Sequence, residues 1–245
     1  MKSKLTFLPK FLLVFTLVFS LASCHTSFDF RGEKGDGNVI TQTRSIAEKF
    51  EKIEVNSGLD LIVTQNDSTS VTVEIDQNLQ SYITTKVVNG VLIVSTDGQF
   101  NATNNVVIRV NLPMISGLKS TSGSTIKSNN TLKTTSLKVE STSGSEIQLD
   151  VEADYISMES TSGSDIEVTG KALKVETSST SGSDINAGKL IANEVFSQSS
   201  SGSSTKVHPV LSLKGTATSG SEIEYVNVPK KLEKEENSGG SVSKY

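Results

Sequence analysis

Thr121-Ser122-Gly123-Ser124-Thr125-Ile126 returns as Thr142-Ser143-Gly144-Ser145-Glu146-Ile147, then as Thr161-Ser162-Gly163-Ser164-Asp165-Ile166. Thr180-Ser181-Gly182-Ser183-Asp184-Ile185, Ser200-Ser201-Gly202-Ser203-Ser204-Thr205 and Thr218-Ser219-Gly220-Ser221-Glu222-Ile223 continue the series. The steps between the six glycines are 21, 19, 19, 20 and 18 residues. A period this regular marks a repeat architecture.

The columns around each glycine define the strands. Three places after it stand Ile126, Ile147, Ile166, Ile185, Thr205 and Ile223; five places after it, Leu149, Val168, Ala187, Val207 and Tyr225 follow Ser128. Polar residues fill the places between, such as Gln148, Glu167 and Asn186. Alternation with period two predicts a strand with one buried face. A second strand precedes each glycine, carrying Leu137 and Val139, Ile156 and Met158, Leu173 and Val175, or Leu211 and Leu213. Two strands and two turns per repeat cannot bury their apolar face alone, so the repeats must stack. The fold class is all-β: a right-handed parallel β-solenoid with rungs roughly 4.8 Å apart. The repeat-turn glycines Gly123, Gly144, Gly163, Gly182, Gly202 and Gly220 fit a corner of positive φ.

Outward from the repeats, residues 1–23 read as a lipoprotein signal peptide. Lys2, Lys4 and Lys10 precede an apolar run from Phe11 to Leu21, too short to span a bilayer. Leu21-Ala22-Ser23-Cys24 resembles the bacterial lipobox, and Cys24 is the only cysteine in the chain, which makes it the expected lipid attachment site. The partner at this end is therefore a membrane, reached through an N-terminal lipid. No retention aspartate follows Cys24, which favours an outer-membrane lipoprotein facing the periplasm or the outside. Residues 24–38, glycine-rich and charged, read as a flexible tether.

Residues 39–118 are β-rich but irregular, with strands expected around Ile53–Val55, Leu59–Val63, Val71–Ile75, Val91–Val94 and Val106–Val110. Asn89-Gly90 predicts a tight hairpin, and 78–84 a short helical turn. Pro113 marks the passage into the regular rungs of 119–225, and 226–245 is the C-terminal cap. Pro229 to Glu236 reads as a charged connection with one helical turn, and Ser238 to Val242 as a last, shortened rung.

Gly37-Asn38-Val39-Ile40-Thr41-Gln42-Thr43-Arg44, Phe50-Glu51-Lys52-Ile53-Glu54-Val55, Val88-Asn89-Gly90-Val91-Leu92-Ile93, the Ser-Gly-Ser series and Ser238-Gly239-Gly240-Ser241-Val242 occur in that order. In that order they resemble the head GIN domain family of auto-transporter adhesins from Bacteroidetes-type envelopes. The resemblance implies a β-helical, exported envelope protein with an adhesin role. The chain shows neither a long heptad stalk nor a membrane-barrel segment, and a lipid anchor takes their place.

The chemistry points to binding. The chain has two histidines, His25 and His208, no tryptophan and a net charge of −4. That charge gives no reason to expect nucleic acid as a partner. No nucleophile elbow, phosphate loop or metal-spaced histidine pair occurs, so no catalytic residues, cofactor or metal are expected. Glu146, Asp165 and Asp184 share one column; like charges 4.8 Å apart in water repel by about 0.9 kcal/mol, which a solvated face tolerates and a calcium ion would relieve. Thr142, Thr161 and Thr180 form the candidate binding face, with glycan or another envelope or host-surface component as ligand. Alternatives are a structural protein whose solenoid edge pairs with a like copy as a homo-oligomer, and a carbohydrate-active β-helix enzyme.

Overall fold

Alternating burial over whole rungs is what the repeats become. A computed structural model describes residues 32–245. The regular rungs are single long strands: β13 (Glu146–Thr161), β14 (Asp165–Thr180), β15 (Asp184–Ser199) and β16 (Ser204–Thr218), preceded by β12 (Leu132–Thr142). They pair in parallel and in register, with Glu146 opposite Asp165 and Thr161 opposite Thr180. Each rung passes from one face to the next without the second turn the sequence predicts. In β13, Ile147, Leu149, Val151 and Ala153 point inward, then two successive residues, Asp154 and Tyr155, point away from the core, and Ile156 and Met158 resume inward. A two-residue change of phase bends the strand, with pairing interrupted only at Asp154 and resumed in the same register at Tyr155, so no second positive-φ corner is required. The change of phase also exposes Leu173 (55 %) and Leu211 (39 %), which the sequence pattern had placed inside with Val175 and Leu213.

The single sharp corner is the Ser-Gly pair. Ser162 has φ 59° and Gly163 φ 66°, and the same pair of positive values recurs at every Ser-Gly-Ser. It also recurs at Ser57-Gly58 and Ser238-Gly239, giving eight corners in one column. Each glycine N–H donates to the serine carbonyl of the adjoining corner: Gly58 to Ser122, Gly123 to Ser143, Gly163 to Ser181, and so on to Gly220 with Ser238, at 3.0–3.2 Å. A Cβ added at Gly163 would meet nothing within 4 Å, so glycine is required there by φ alone. Gly170 (φ 117°) is different: a Cβ there would lie 2.0 Å from the Val151 carbonyl oxygen.

Stacking begins before Pro113. Counting from the N-terminus, the strands are β1 (Glu33–Lys34), β2 (Val39–Arg44), β3 (Lys52–Val55), β4 (Asp60–Gln65), β5 (Ser70–Asp76), β6 (Ile83–Val88), β7 (Val91–Thr96), β8 (Phe100–Asn101), β9 (Val107–Leu112), β10 (Gly117–Thr121) and β11 (Thr125–Ser128). The rung β3–Ser57-Gly58–β4 lies parallel on β10–Ser122-Gly123–β11, and β7 and β9 lie parallel on its other side. The end is closed by antiparallel strands: β6 on β7, β5 on β9 and β2 on β5. The β6–β7 hairpin turns at Asn89-Gly90, both with positive φ, and a 3₁₀ turn spans Gln77–Tyr82, as the sequence predicts. Leu79, buried completely, belongs to the same apolar core as the rungs.

The segment read as a tether is held from Glu33 onward. β1 pairs with β8, and the buried Asp76 carboxylate accepts bonds from Gly37 N–H and from Thr103 N–H and Oγ1 at 2.7–2.9 Å. Those bonds outweigh burial and hold the Asp76 carboxyl below its ordinary pKa, the Thr103 hydroxyl contributing most. Residues 1–31, including Cys24, His25 and the signal segment, lie outside the described residues.

At the other end, β17 (Glu222–Tyr225), β18 (Lys231–Asn237) and β19 (Ser241–Lys244) complete the stack. β18 is a strand where the sequence reading placed a helical turn, because Leu213 offers Leu232 a register partner in the core column. The next inward positions, Gly215 and Ala217 on β16, face Lys234 and Glu236. Lys234 Nζ donates to the Val242 carbonyl at 2.5 Å, and Val242 N–H donates to Glu236 at 2.7 Å. Inward-facing charge on an end strand makes pairing with another sheet costly.

Two outcomes test this architecture. Gly163→Val should destabilise by more than about 1 kcal/mol and Gly163→Asn by less, since Asn tolerates positive φ and a β-branched residue does not. Equal melting temperatures for the two variants would contradict a φ-determined corner. Replacing Lys234 and Glu236 together with leucine should convert the protein to larger, concentration-dependent species in sedimentation velocity; an unchanged sedimentation coefficient would show that the end strand needs no charge to stay unpaired.

Candidate functional site

The corner holds four columns of hydroxyls, and the structure sorts them. Two columns are internal. Ser120, Ser141, Ser160, Ser179 and Ser199 are buried, as are Ser124, Ser145, Ser164, Ser183, Ser203 and Ser221. Ser164 Oγ donates to the Ser141 carbonyl of the preceding rung at 2.7 Å and accepts the Thr161 N–H of its own rung at 3.1 Å. Ser145, Ser183, Ser203 and Ser221 make the same cross-rung bond at 2.7–2.8 Å. Ser160 Oγ closes the corner onto the Ser164 carbonyl at 2.8 Å. Apart from Ser199, whose Oγ pairs with Thr205 Oγ1 at 2.8 Å, the internal hydroxyls thus satisfy backbone groups at the corner, and leaving such a group unpaired costs about 1–3 kcal/mol.

The other two columns face outward. Ser122, Ser143, Ser162, Ser181, Ser201 and Ser219 are exposed. Thr142, Thr161 and Thr180 are half-buried and in direct register, one per rung. Their hydroxyls make only long contacts with the adjacent serine, 3.5 Å for Thr142 and 3.4 Å for Thr161, while Thr180 accepts from Ser200 Oγ at 3.0 Å. The structure therefore brings the three predicted threonines together as a row with unused donor and acceptor capacity. The outward serines add a second observation. Asn and Gly adopt positive φ with less strain than Ser. The chain uses Asn89-Gly90 at its hairpin yet keeps Ser-Gly at all eight corners.

Sequence reasoning reads Asn56-Ser57-Gly58 as a turn between two strands but does not join it to the Ser-Gly-Ser series, although the signal was present: Leu61 stands three places after Gly58, as Ile126 does after Gly123. Nothing in the repeat distinguishes the serine before each glycine from the one after it; only their burial separates the internal from the outward ones.

The acidic column is in register as read. Glu146, Asp165 and Asp184 follow Thr125 and Asp60, and precede Ser204 and Glu222. Partial burial, then the charges of Asp184 and Glu146, raise the Asp165 pKa above its ordinary value. Among the described residues no three or more His, Cys, Asp or Glu side chains are grouped so as to hold a metal ion. His208 lies on β16, and its Nδ1 faces the Gly188 carbonyl at 3.2 Å; since that oxygen only accepts, Nδ1 carries the proton. That bond ties down the irregular register between β15 and β16.

Comparison with known proteins agrees with this geometry. The family model described as "Putative auto-transporter adhesin, head GIN domain" matches residues 49–229. A solved structure of a putative adhesin from Bacteroides fragilis superposes with a TM-score of 0.80 at 18 % identity, covering 87 % of this chain and 100 % of its own. A putative adhesin from Parabacteroides merdae gives 0.71 at 20 % identity, covering 86 % and 98 %. A putative lipid binding protein from Parabacteroides distasonis gives 0.65 at 18 % identity, covering 86 % and 98 %. At these identities the likeness is one of fold. No curated protein sequence matches the chain.

The acidic column yields a pH test. A carboxyl whose folded pKa is raised binds more protons folded than unfolded, so its contribution to stability falls as pH rises from 3.8 through the folded value. Asp165→Asn should therefore raise the melting temperature at pH 7, with the difference from wild type vanishing as the pH drops below 4. A difference that persists at pH 3 would mean the column does not repel as its geometry implies.

Proposed function

The chain belongs to the head GIN domain family of auto-transporter adhesins, and from that premise we propose a lipid-anchored envelope protein whose solenoid binds glycan along its outward hydroxyl corner. The observation that carries the reading is the row Thr142, Thr161 and Thr180 with the exposed serines beside it. Identical groups recurring at one rung's rise match an extended polymer and offer a small metabolite no enclosure. Each hydroxyl exchanges water for ligand at a gain of about 0.5–1.5 kcal/mol, so affinity comes from several rungs and from many copies on one cell. The internal serines are committed to the backbone and take no part.

The anchor is Cys24, the only thiol in the chain, standing at the end of Leu21-Ala22-Ser23. Two or three acyl chains on that residue hold a protein at a membrane where one chain does not. The β1–β8 pairing and the Asp76 bonds to Gly37 and Thr103 fix the described N-terminal segment beside the antiparallel cap. A tether to the membrane would leave from that end. The reading is non-catalytic and needs no cofactor. The cell envelope, with the outer membrane as the anchoring bilayer, is the location it implies.

Replacing Thr142, Thr161 and Thr180 together with valine keeps shape and β-propensity while removing the hydroxyls. The variant should melt near the wild type yet lose most of its attachment in a glycan and cell-adhesion assay; attachment equal to wild type would reduce the row to a structural corner. Cys24→Ala should move the protein from the membrane to the soluble fraction, and a variant that stays with the membrane would overturn the lipid anchor.

A further inference from the structure

The sheet face beside the threonine row is an array of outward side chains, and its charge is unevenly placed. The column next to the threonines reads Glu140, Glu159, Ser178, Gln198, Thr216 and Glu235 in register. The column beyond it carries Lys138 and Lys214 towards its ends, with Ser157, Glu176 and Phe196 between them. Lysines thus border the face, and the window between them over β13 to β16 holds hydroxyls, the Gln198 amide, the Phe196 ring and two carboxylates, Glu159 and Glu176, which accept from a hydroxyl-bearing ligand and repel an anionic one. Each lysine around the face is paired with a carboxylate: Lys138 with Glu140 at 2.8 Å, Lys174 with Glu176 at 2.6 Å, and Lys214 with Glu235 at 3.2 Å. Glu176 also accepts the Tyr155 hydroxyl at 2.7 Å.

Two adjoining hollows occupy the window. One of about 330 Å³ is lined by Ser157, Glu176, Ser178, Phe196 and Gln198 among others, and one of about 230 Å³ shares Ser178 and Gln198 and reaches Thr216 and Ser200. Phe196 lines the first of them, with 40 % of its surface exposed. What sets this ring apart from a lone exposed apolar residue is its place: it lines a hollow together with hydrogen-bonding side chains, a flat apolar face beside polar groups. Lys174 Nζ lies 4.9 Å from its ring centroid, which orients the ring without covering it fully.

We propose that this window is a subsite for a neutral saccharide, a proposal that rests on the glycan reading above and gives it a place and a ligand class. A pyranose ring presents a face of C–H bonds carrying slight positive charge, which packs on the negative face of an aromatic ring. Its rim of hydroxyls both donates and accepts, as do Ser178, Gln198 and Thr216. A polymer bearing carboxylates or sulfates would meet no uncommitted cation here, because Lys138, Lys174 and Lys214 already hold carboxylate partners. The threonine row lies along one side of the window and extends it for a chain that crosses several rungs.

The test is binding of the full chain to an array of neutral oligosaccharides beside heparin and polygalacturonate. Wild type should bind neutral members in preference to the acidic ones. Phe196→Ala should weaken that binding at least fivefold, and Phe196→Tyr should retain it, with both variants melting like wild type. Neutral-glycan binding that the threonine-to-valine triple variant abolishes but Phe196→Ala leaves intact would overturn the window and leave the glycan reading standing. Binding confined to the acidic polymers would overturn the window's ligand class, and binding to none of the array would overturn both readings.

Discussion

The whole architecture depends on one backbone conformation repeated in register: two successive residues of positive φ, serine then glycine, at the single sharp corner of each rung. The glycine N–H of each corner reaches the serine carbonyl of the next, so eight corners form a continuous ladder from Ser57-Gly58 to Ser238-Gly239. A corner that differed in length or φ at any rung would shift the register by one residue and turn Ile147 or Ile166 outward. The rungs differ in length by several residues, and the corner does not. Variation is absorbed elsewhere, at the change of phase around Asp154-Tyr155 and at the irregular register between Ala187 and Ile191.

A turn of this kind strands backbone groups inside the molecule, and the internal serines answer that need. Their hydroxyls bond across rungs and within them, which makes the corner a hydrogen-bonded seam beside the apolar core. The consequence for function is geometric. With the seam facing inward, the threonines and the first serines of each Ser-Gly-Ser must face outward, and stacking lines them up at one rung's rise. The threonine row proposed to bind follows from the folding device, and the window with Phe196 lies next to it on the same sheet face. The two ends are closed by different means: antiparallel strands and the Asp76 bonds at one, the inward charges of Lys234 and Glu236 at the other.

Much of this was legible in the residues. The period, the apolar columns at Ile147 and Leu149, the Asn89-Gly90 hairpin and the shortened last rung at Ser238 are local patterns, and each predicted its structure. What failed depended on partners distant in sequence. Glu33-Lys34 looks like tether until Phe100-Asn101 supplies a strand, and Pro229 to Glu236 looks like a charged link until Leu213 supplies a register partner. Leu173 looked internal because periodicity does not reveal where a long strand changes phase. The same limit applies to the site. Thr142, Thr161 and Thr180 were found as a row, but nothing in Ser-Gly-Ser says which serine is inside, and nothing around Phe196 says that Lys138, Lys174 and Lys214 already hold carboxylate partners.

The most direct test of the division between internal and outward hydroxyls is equilibrium denaturation of two neighbouring serine-to-alanine variants, Ser164→Ala and Ser162→Ala. The internal serine should cost about 1–3 kcal/mol, because the Ser141 carbonyl and the Thr161 N–H lose their partner. The outward serine, two residues away in the same corner, should change stability by less than about 0.5 kcal/mol. Equal losses for the two variants, or no loss at Ser164, would contradict the seam on which the outward placement of the threonine row rests.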